Sequence, residues 1–244
     1  DKESNRRNIW CCISGAGKML KAILFDMDGV LVDSEPIHFK SNCITLEKYC
    51  NITLEYEYYK QFIGSTIAYM WKRVVDDFHI VEYTADDLLK LNDAVLQELV
   101  EKDGYPPIPG AAECVREWKQ AGYLLAVASS SKREKILQNI KRLGIADCFD
   151  RIVSGMELEH PKPSPDIFLE AAKLLEVKPE ECLVIEDSGN GVKAAVSAGM
   201  ACLGFLNPNS GEQDLSGADY LFESFSSLDE SFLCMVHNHH FGEP

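Results

Sequence analysis

From Ala111 to Phe205 the chain alternates short apolar strands with helices, and this rhythm limits the fold more than any other feature. The pattern predicts helices at 111–121, 133–143, 166–175 and 192–198, the first two stopping at Gly122 and Gly144. Between them it predicts strands at 123–128, 151–154, 182–185 and 201–205. Strands alternating with helices argue for an α/β fold, a doubly wound parallel sheet with helices on both faces.

One more strand is expected far upstream. Ala22-Ile23-Leu24-Phe25 is a buried-strand run, and Asp26-Met27-Asp28-Gly29 follows it. In extended backbone Asp26 and Asp28 point the same way. Two acids on one face repel unless a cation sits between them or one keeps a proton. The first outcome is a Mg²⁺ site, and the second is a nucleophile beside a general acid/base. Gly29 lets the backbone turn sharply beside them.

Asp28 and Ser129, each just past a strand, are 101 residues apart. A strand–helix–strand unit needs about 30 residues, so roughly 70 are in excess. The segment from His38 to about Glu101 fills that excess. Phe39, Cys43, Leu46 and Tyr49 recur at helical spacing, as do Met70, Val74, Val75 and Phe78, and Thr84-Ala85-Asp86-Asp87 reads as a helix start. The block ends in the turn cluster from Asp103 to Gly110. The expected layout is therefore an α/β core of residues 19–35 and 104–232. An all-helical cap domain, 36–103, is inserted through hinges at 33–36 and 103–109. Residues 1–18 read as a leader outside the domain, with Met19 the natural start. Gly15-Ala16-Gly17-Lys18 falls short of a phosphate loop, because Cys12 stands where the first glycine belongs and Met19 where Ser or Thr does. Residues 233–244 read as a polar tail, its His237, His239 and His240 a tag remnant or frayed end.

Composition narrows the partners. The net charge is −15, from 39 acidic against 24 basic residues, which disfavours nucleic acid and anionic membranes. An anionic substrate then needs a local basic patch or a metal ion. The nine cysteines are odd in number and form no CxxC pair, so they read as buried thiols in a reducing, cytoplasmic setting. No apolar run approaches the ~20 residues of a membrane span. The expected state is a monomer or weak dimer.

Four predicted strand ends carry polar residues: Asp26 and Asp28; Ser129 and Ser130; Lys162 in the loop after 151–154; Glu186 and Asp187. A doubly wound sheet brings such ends to one edge. Asp26 and Asp187, with Glu186 as a further candidate, offer hard oxygen ligands for Mg²⁺. Lys162 offers a positive charge and Ser129 a hydroxyl. Together they suit holding a phosphoryl group while a carboxylate attacks it.

Here the chain resembles the haloacid dehalogenase superfamily of phosphohydrolases, in the helical-cap subclass that includes β-phosphoglucomutase. Phe25-Asp26-Met27-Asp28-Gly29-Val30 is similar to its first motif, Val127-Ala128-Ser129 to its second, the run Lys162 to Phe168 to its third, and Ile185-Glu186-Asp187-Ser188 to its fourth. The resemblance covers about Met19 to Ser227 and implies a Rossmann-like core. It also implies that Asp26 becomes an aspartyl phosphate. Asp28 protonates the leaving oxygen and then activates water, while Ser129 and Lys162 bind phosphoryl oxygens. Mg²⁺ sits on Asp26, the Asp28 carbonyl and Asp187, with Glu186 nearby. Candidate substrate contacts are Gly29, Ser34, His38 and Ser130, and Ser65 and Thr66 in the cap.

The chain departs from the mutase pattern at one position. Gly64-Ser65-Thr66-Ile67 matches a segment whose last residue, in the phosphomutases, is an arginine that grips a second phosphate; here it is Ile67. The expected activity is thus a Mg²⁺-dependent phosphatase acting on a small phosphate monoester, a sugar phosphate among the candidates. The sugar phosphomutase is the alternative. A phospho-accepting receiver module shares the acids, Ser/Thr and Lys but has no cap, and the helical insertion speaks against it.

Overall fold

The computed structural model describes residues 20–229 together with Phe232 and Val236. The expected leader lies outside the described residues, as does most of the expected polar tail. Val236 corrects that tail reading at one point, since it is helical and fully buried.

The helices are α1 (Glu35–Cys50), α2 (Tyr56–Tyr59), α3 (Ile67–Asp77), α4 (Ala85–Asp103), α5 (Ala111–Gln120), α6 (Arg133–Arg142), α7 (Asp166–Leu174) and α8 (Gly189–Ser197). The strands are β1 (Ala22–Phe25), β2 (Leu124–Ser129), β3 (Arg151–Ser154), β4 (Cys182–Glu186), β5 (Ala201–Phe205) and β6 (Tyr220–Phe222). They form one sheet in the order β3-β2-β1-β4-β5-β6, every pair parallel. This is the doubly wound fold that the alternating pattern predicts. The order reverses between β1 and β4, and such a reversal opens a crevice at the carboxyl ends of the strands.

Both faces of the sheet are covered, which is why the strands read as unbroken apolar runs. Leu24, Ala126 and Val184 pack with Phe168 and Ala171 of α7 and with Val192 and Ala195 of α8. On β1 the next side chain, Phe25, turns the other way; its ring meets Trp118 of α5 at 5.7 Å and Phe149 at 5.9 Å. Phe25 is fully buried, worth about 2–3 kcal/mol of transfer free energy.

The chain divides into two compact units. One is the α/β unit, comprising, among the described residues, those up to Val32, Pro107–Asn207 and those from Asp214 onward. The other is helical, Asp33–Pro106 with Pro208–Gln213. Its ends lie three residues outside the expected 36–103 on each side. The added segment 208–213 is tied to it by Asn209 Nδ2, which donates to Asp33 Oδ2 at 2.6 Å, and by Gly211 against Ile63.

Within the helical unit, Trp71, Met70 and Val74 of α3 pack with Leu46 of α1, Leu88 of α4 and the rings of Tyr59 and Phe62. Local signals fix the helix ends. Thr66 caps α3 by accepting from Tyr69 N–H. At α4 the Thr84 hydroxyl and Asp87 carboxylate cap each other's backbone, and Gly104 (φ 74°) ends the helix. On α1 the fully buried residues include Ser41, Asn42 and Thr45 beside Leu46, while the expected Phe39 and Cys43 are only partly covered. Thr45 Oγ1 donates to Asn92 Oδ1 of α4 at 3.2 Å, so a polar seam joins the two long helices. Among the described residues no helix is long and apolar enough to cross a membrane.

Candidate active site

Strand register explains why these residues meet. Phe25 is level with Val127 of β2 and Ile185 of β4, so the next residue on each strand reaches the sheet edge together: Asp26, Ala128 and Glu186. Ser129 follows on β2 and Asp187 follows β4. The loop after β3 returns Lys162 to the same edge. Its ammonium donates to Asp26 Oδ1 and to Glu186 Oε1, both at 2.6 Å, and to the Ala128 carbonyl at 3.2 Å. It also lies 5.0 Å from the centre of the Phe168 ring.

These charges are out of water. The Lys162 side chain is 8% exposed, that of Asp26 10% and that of Glu186 0%. Burial pushes the Asp26 carboxyl up to about 7; Lys162 pulls it back, while the charges of Glu186 and Asp28 add to the rise. For Lys162, burial favours the neutral amine, but Asp26 and Glu186 overcome it and hold the ammonium above the usual lysine range. Breaking such a buried pair strands the remaining charge, at a cost of about 3–5 kcal/mol.

Glu186 is engaged at both oxygens. Oε2 accepts from the N–H groups of Asp187 and Ser188 and from the Ser188 hydroxyl, at 3.0–3.1 Å. Gly191 makes room for it: a Cβ there would lie 1.8 Å from the Glu186 carboxyl. Gly29 does the same for Asp187. Its φ is +85°, and a Cβ would lie 1.9 Å from Asp187 Oδ2. The Gly29 carbonyl accepts from Asn207 Nδ2 at 2.9 Å, which fixes the turn behind Asp28.

The ligand oxygens of Asp26, Glu186 and Asp187 lie within 4.8 Å of one another. Of these three carboxylates, Asp26 and Glu186 share the Lys162 ammonium. The donors are hard oxygens, the kind Mg²⁺ takes at about 2.0–2.1 Å. The residues present therefore fit a divalent cation.

Asp28 sits apart from that triad. Its Oδ2 accepts from Ser131 Oγ at 2.7 Å and lies 3.5 Å from Ser129 Oγ, and its Oδ1 accepts from Lys135 Nζ at 3.0 Å. Ser131 and Lys135 are the residues that sequence reasoning missed. Ser130, expected as a substrate contact, is exposed, and the next serine is the one that reaches Asp28.

The structure thus gathers Asp26, Asp28, Gly29, Ser129, Lys162, Glu186 and Asp187 in the α/β unit. The other candidates, Ser34, His38, Ser65 and Thr66, belong to the helical unit. Ser34 is buried at the start of α1. His38, Ser65 and Thr66 line a 190 Å³ pocket together with Glu35, Tyr59 and Phe62. There the Tyr59 hydroxyl donates to Glu35 Oε1. Ser65 Oγ donates to the Phe62 carbonyl at 2.7 Å, and Thr66 serves as the α3 cap.

Comparison with known proteins bears on this geometry. Residues 20–199 match the family model described as haloacid dehalogenase-like hydrolase. The chain is 30% identical over 184 residues to the Phosphorylated carbohydrates phosphatase of Thermotoga maritima, covering 74% of this chain and 82% of that one. It is 36% identical over 186 residues to Protein SUPPRESSOR OF QUENCHING 1, chloroplastic, of Arabidopsis thaliana; that match covers 75% of this chain but spans only 18% of the larger protein. Among solved structures, a HAD family hydrolase from Deinococcus radiodurans with bound phosphate and sodium superposes with a TM-score of 0.77. It is 28% identical, over 90% of this chain and 98% of that one.

Proposed function

The chain belongs to the haloacid dehalogenase-like hydrolases, and from that premise we propose that it is a Mg²⁺-dependent phosphatase of small phosphate monoesters, working through an aspartyl phosphate on Asp26. An Asp26 oxygen bonds to phosphorus as the ester P–O bond breaks. The electron pair leaves on the alcohol oxygen, which takes a proton from Asp28. Water, giving its proton to Asp28, then attacks the phosphorus, so that inorganic phosphate departs and the Asp26 carboxylate is restored.

The observation that carries this reading is the buried ammonium of Lys162 between Asp26 and Glu186, with Ser129 beside Asp28. A fixed cation next to the attacking carboxylate suits the charge that gathers on the phosphoryl oxygens. Asp26, Asp187 and the Asp28 carbonyl would hold Mg²⁺, with Glu186 behind them, and the bound ion would add positive charge against the transferring group. The solved Deinococcus radiodurans relative holds bound phosphate and sodium, an anion and a cation, which supports a reading that calls for both.

The proposed substrate class is a sugar monophosphate. The Thermotoga relative is named for phosphorylated carbohydrates. The pocket of the helical unit offers Glu35, Tyr59 and His38 to hydroxyl groups and, among the described residues, no lysine or arginine to a second phosphate. A panel of phosphate monoesters, assayed for phosphate release with Mg²⁺ and with EDTA, tests the reading. Release from sugar monophosphates with Mg²⁺ alone is expected, and no release from any monoester would overturn it.

A further inference from the structure

The reaction above assigns Asp28 its protons but not its orientation. Lys135 Nζ donates to Oδ1 at 3.0 Å and Ser131 Oγ to Oδ2 at 2.7 Å. Ser131 is itself fixed, since its N–H donates to Ser129 Oγ at 3.1 Å and its carbonyl accepts from Ser154 Oγ at 2.7 Å. Lys135 stands in the first turn of α6, a poor place for a cation, because the positive end of the helix dipole lies there. Its neighbour Arg133 is offset by a two-pronged pair with Glu157 at 2.6–2.7 Å. Lys135 in turn is offset by Asp28. Helix formation therefore gives no reason for a lysine at this position, whereas Asp28 does.

The two grips differ in kind. An ammonium has donors only, so it holds Oδ1 as an acceptor. A hydroxyl rotates to donate or accept, so the Ser131 partner tolerates Oδ2 with or without a proton. We propose that Lys135 is a positioning residue for the proton transfer: by fixing Oδ1 as an acceptor it presents Oδ2, on the side of Ser129 and Ser131, as the oxygen that protonates the leaving alcohol. This rests on the reading of Asp28 as the general acid. As the P–O bond breaks, the alcohol oxygen takes the electron pair and the Oδ2 proton, and Asp28 is left as a carboxylate held by Lys135.

The test separates a proton-transfer role from a merely structural one. kcat/KM reports the steps through departure of the leaving group. It is measured for p-nitrophenyl phosphate, whose phenolate leaves without a proton. It is also measured for an alkyl monoester: glucose 6-phosphate, fructose 6-phosphate or glycerol 3-phosphate, whichever the wild-type enzyme hydrolyses fastest. Lys135→Met is expected to lower the alkyl value at least about tenfold and the aryl value less than about threefold, with Lys135→Arg restoring most of the loss. Asp28→Asn is the control and shows the same selectivity, more strongly. Equal losses on both substrates, or none, in Lys135→Met would overturn the role of Lys135 while the Asp28 control kept its assignment. An Asp28→Asn variant without selectivity, or a wild-type enzyme that cleaves no alkyl monoester, would instead bring down the general-acid reading, and this inference with it.

Discussion

At the edge of the sheet, Asp26, Glu186 and Lys162 lie in contact and out of water, every one paired. The pocket of the helical unit is built differently. Its carboxylate, Glu35, accepts from the phenol of Tyr59, and Phe62, Ile63 and Met70 make much of the wall. Buried charge tolerates little change, because removing one member leaves another unpaired in a medium that penalises it. A wall made largely of apolar groups absorbs substitutions at smaller cost. The contrast teaches which region is bound by buried charge and which has room to vary.

The sharpest way to break the comparison is to remove the charge proposed to attack. Asp26→Asn keeps the shape but deletes the proposed nucleophile and a proposed metal ligand. Phosphate release should fall at least about a thousandfold, roughly 4 kcal/mol of transition-state stabilisation. Steady-state kinetics check this, and near-normal turnover would remove Asp26 from its role.

Chelation acts on the same cluster from outside. EDTA should lower activity at least about a hundredfold, with Mg²⁺ restoring it and Ca²⁺ failing to, because Ca²⁺ takes more ligands in looser geometry. Full activity after exhaustive dialysis against chelator would end the Mg²⁺ reading.

Lys162→Met tests the pairing itself. It leaves Asp26 and Glu186 facing each other without their shared cation. A loss of about 3 kcal/mol of stability is expected, read as a lower midpoint in urea, together with a fall in activity of about a hundredfold or more. Unchanged stability would mean that burial at this edge is less stringent than the 8% exposure of Lys162 implies. A smaller effect is expected from Gly191→Ala, whose Cβ would crowd the Glu186 carboxyl. That variant should lose about tenfold in kcat with little change in KM, since it displaces a group behind the reacting atoms.

The same contrast explains what the sequence disclosed. Each piece of the polar sheet edge is written locally, as an apolar run that ends in a polar residue, so Asp26, Ser129, Glu186 and Asp187 are legible one strand at a time. Lys162 was legible as a charge in the loop after β3. What escaped are contacts between segments far apart in sequence. Ser131 and Lys135 meet Asp28 across more than a hundred residues, and no spacing rule joins them. The edge strand β6 is three residues long with Leu221 half exposed, too short for periodicity to register. On α1 the buried face is partly polar, so a search for apolar residues at helical spacing favoured Phe39 and Cys43 over Ser41, Asn42 and Thr45. The attachment of 208–213 to the helical unit depends on one amide and one glycine packed against residues 33 and 63, which carry no signature in the sequence.

The smallest expected effect falls at Ile67, and it decides between hydrolysis and phosphate transfer within a sugar. Ile67 begins α3 and is 42% exposed. At the matching position the resembling phosphomutases carry an arginine that grips the second phosphate of a bisphosphate. Such a dianion, withdrawn from water, needs charge-assisted hydrogen bonds. Isoleucine has none to give, and the pocket it lines holds a carboxylate and, among the described residues, neither lysine nor arginine. The wild-type enzyme should therefore release phosphate from β-glucose 1-phosphate or leave it untouched, rather than convert it to glucose 6-phosphate, even with glucose 1,6-bisphosphate present. Ile67→Arg should change turnover of a sugar monophosphate by less than about threefold, since a surface substitution at a helix start costs little. The same change should tighten binding of glucose 1,6-bisphosphate by about three- to tenfold, the worth of a partly exposed ion pair. A coupled assay for glucose 6-phosphate and an inhibition series with the bisphosphate read both quantities. Efficient glucose 6-phosphate formation by the wild-type enzyme, with little free phosphate, would mean that another group of the helical unit does the arginine's work and that the mutase reading is correct.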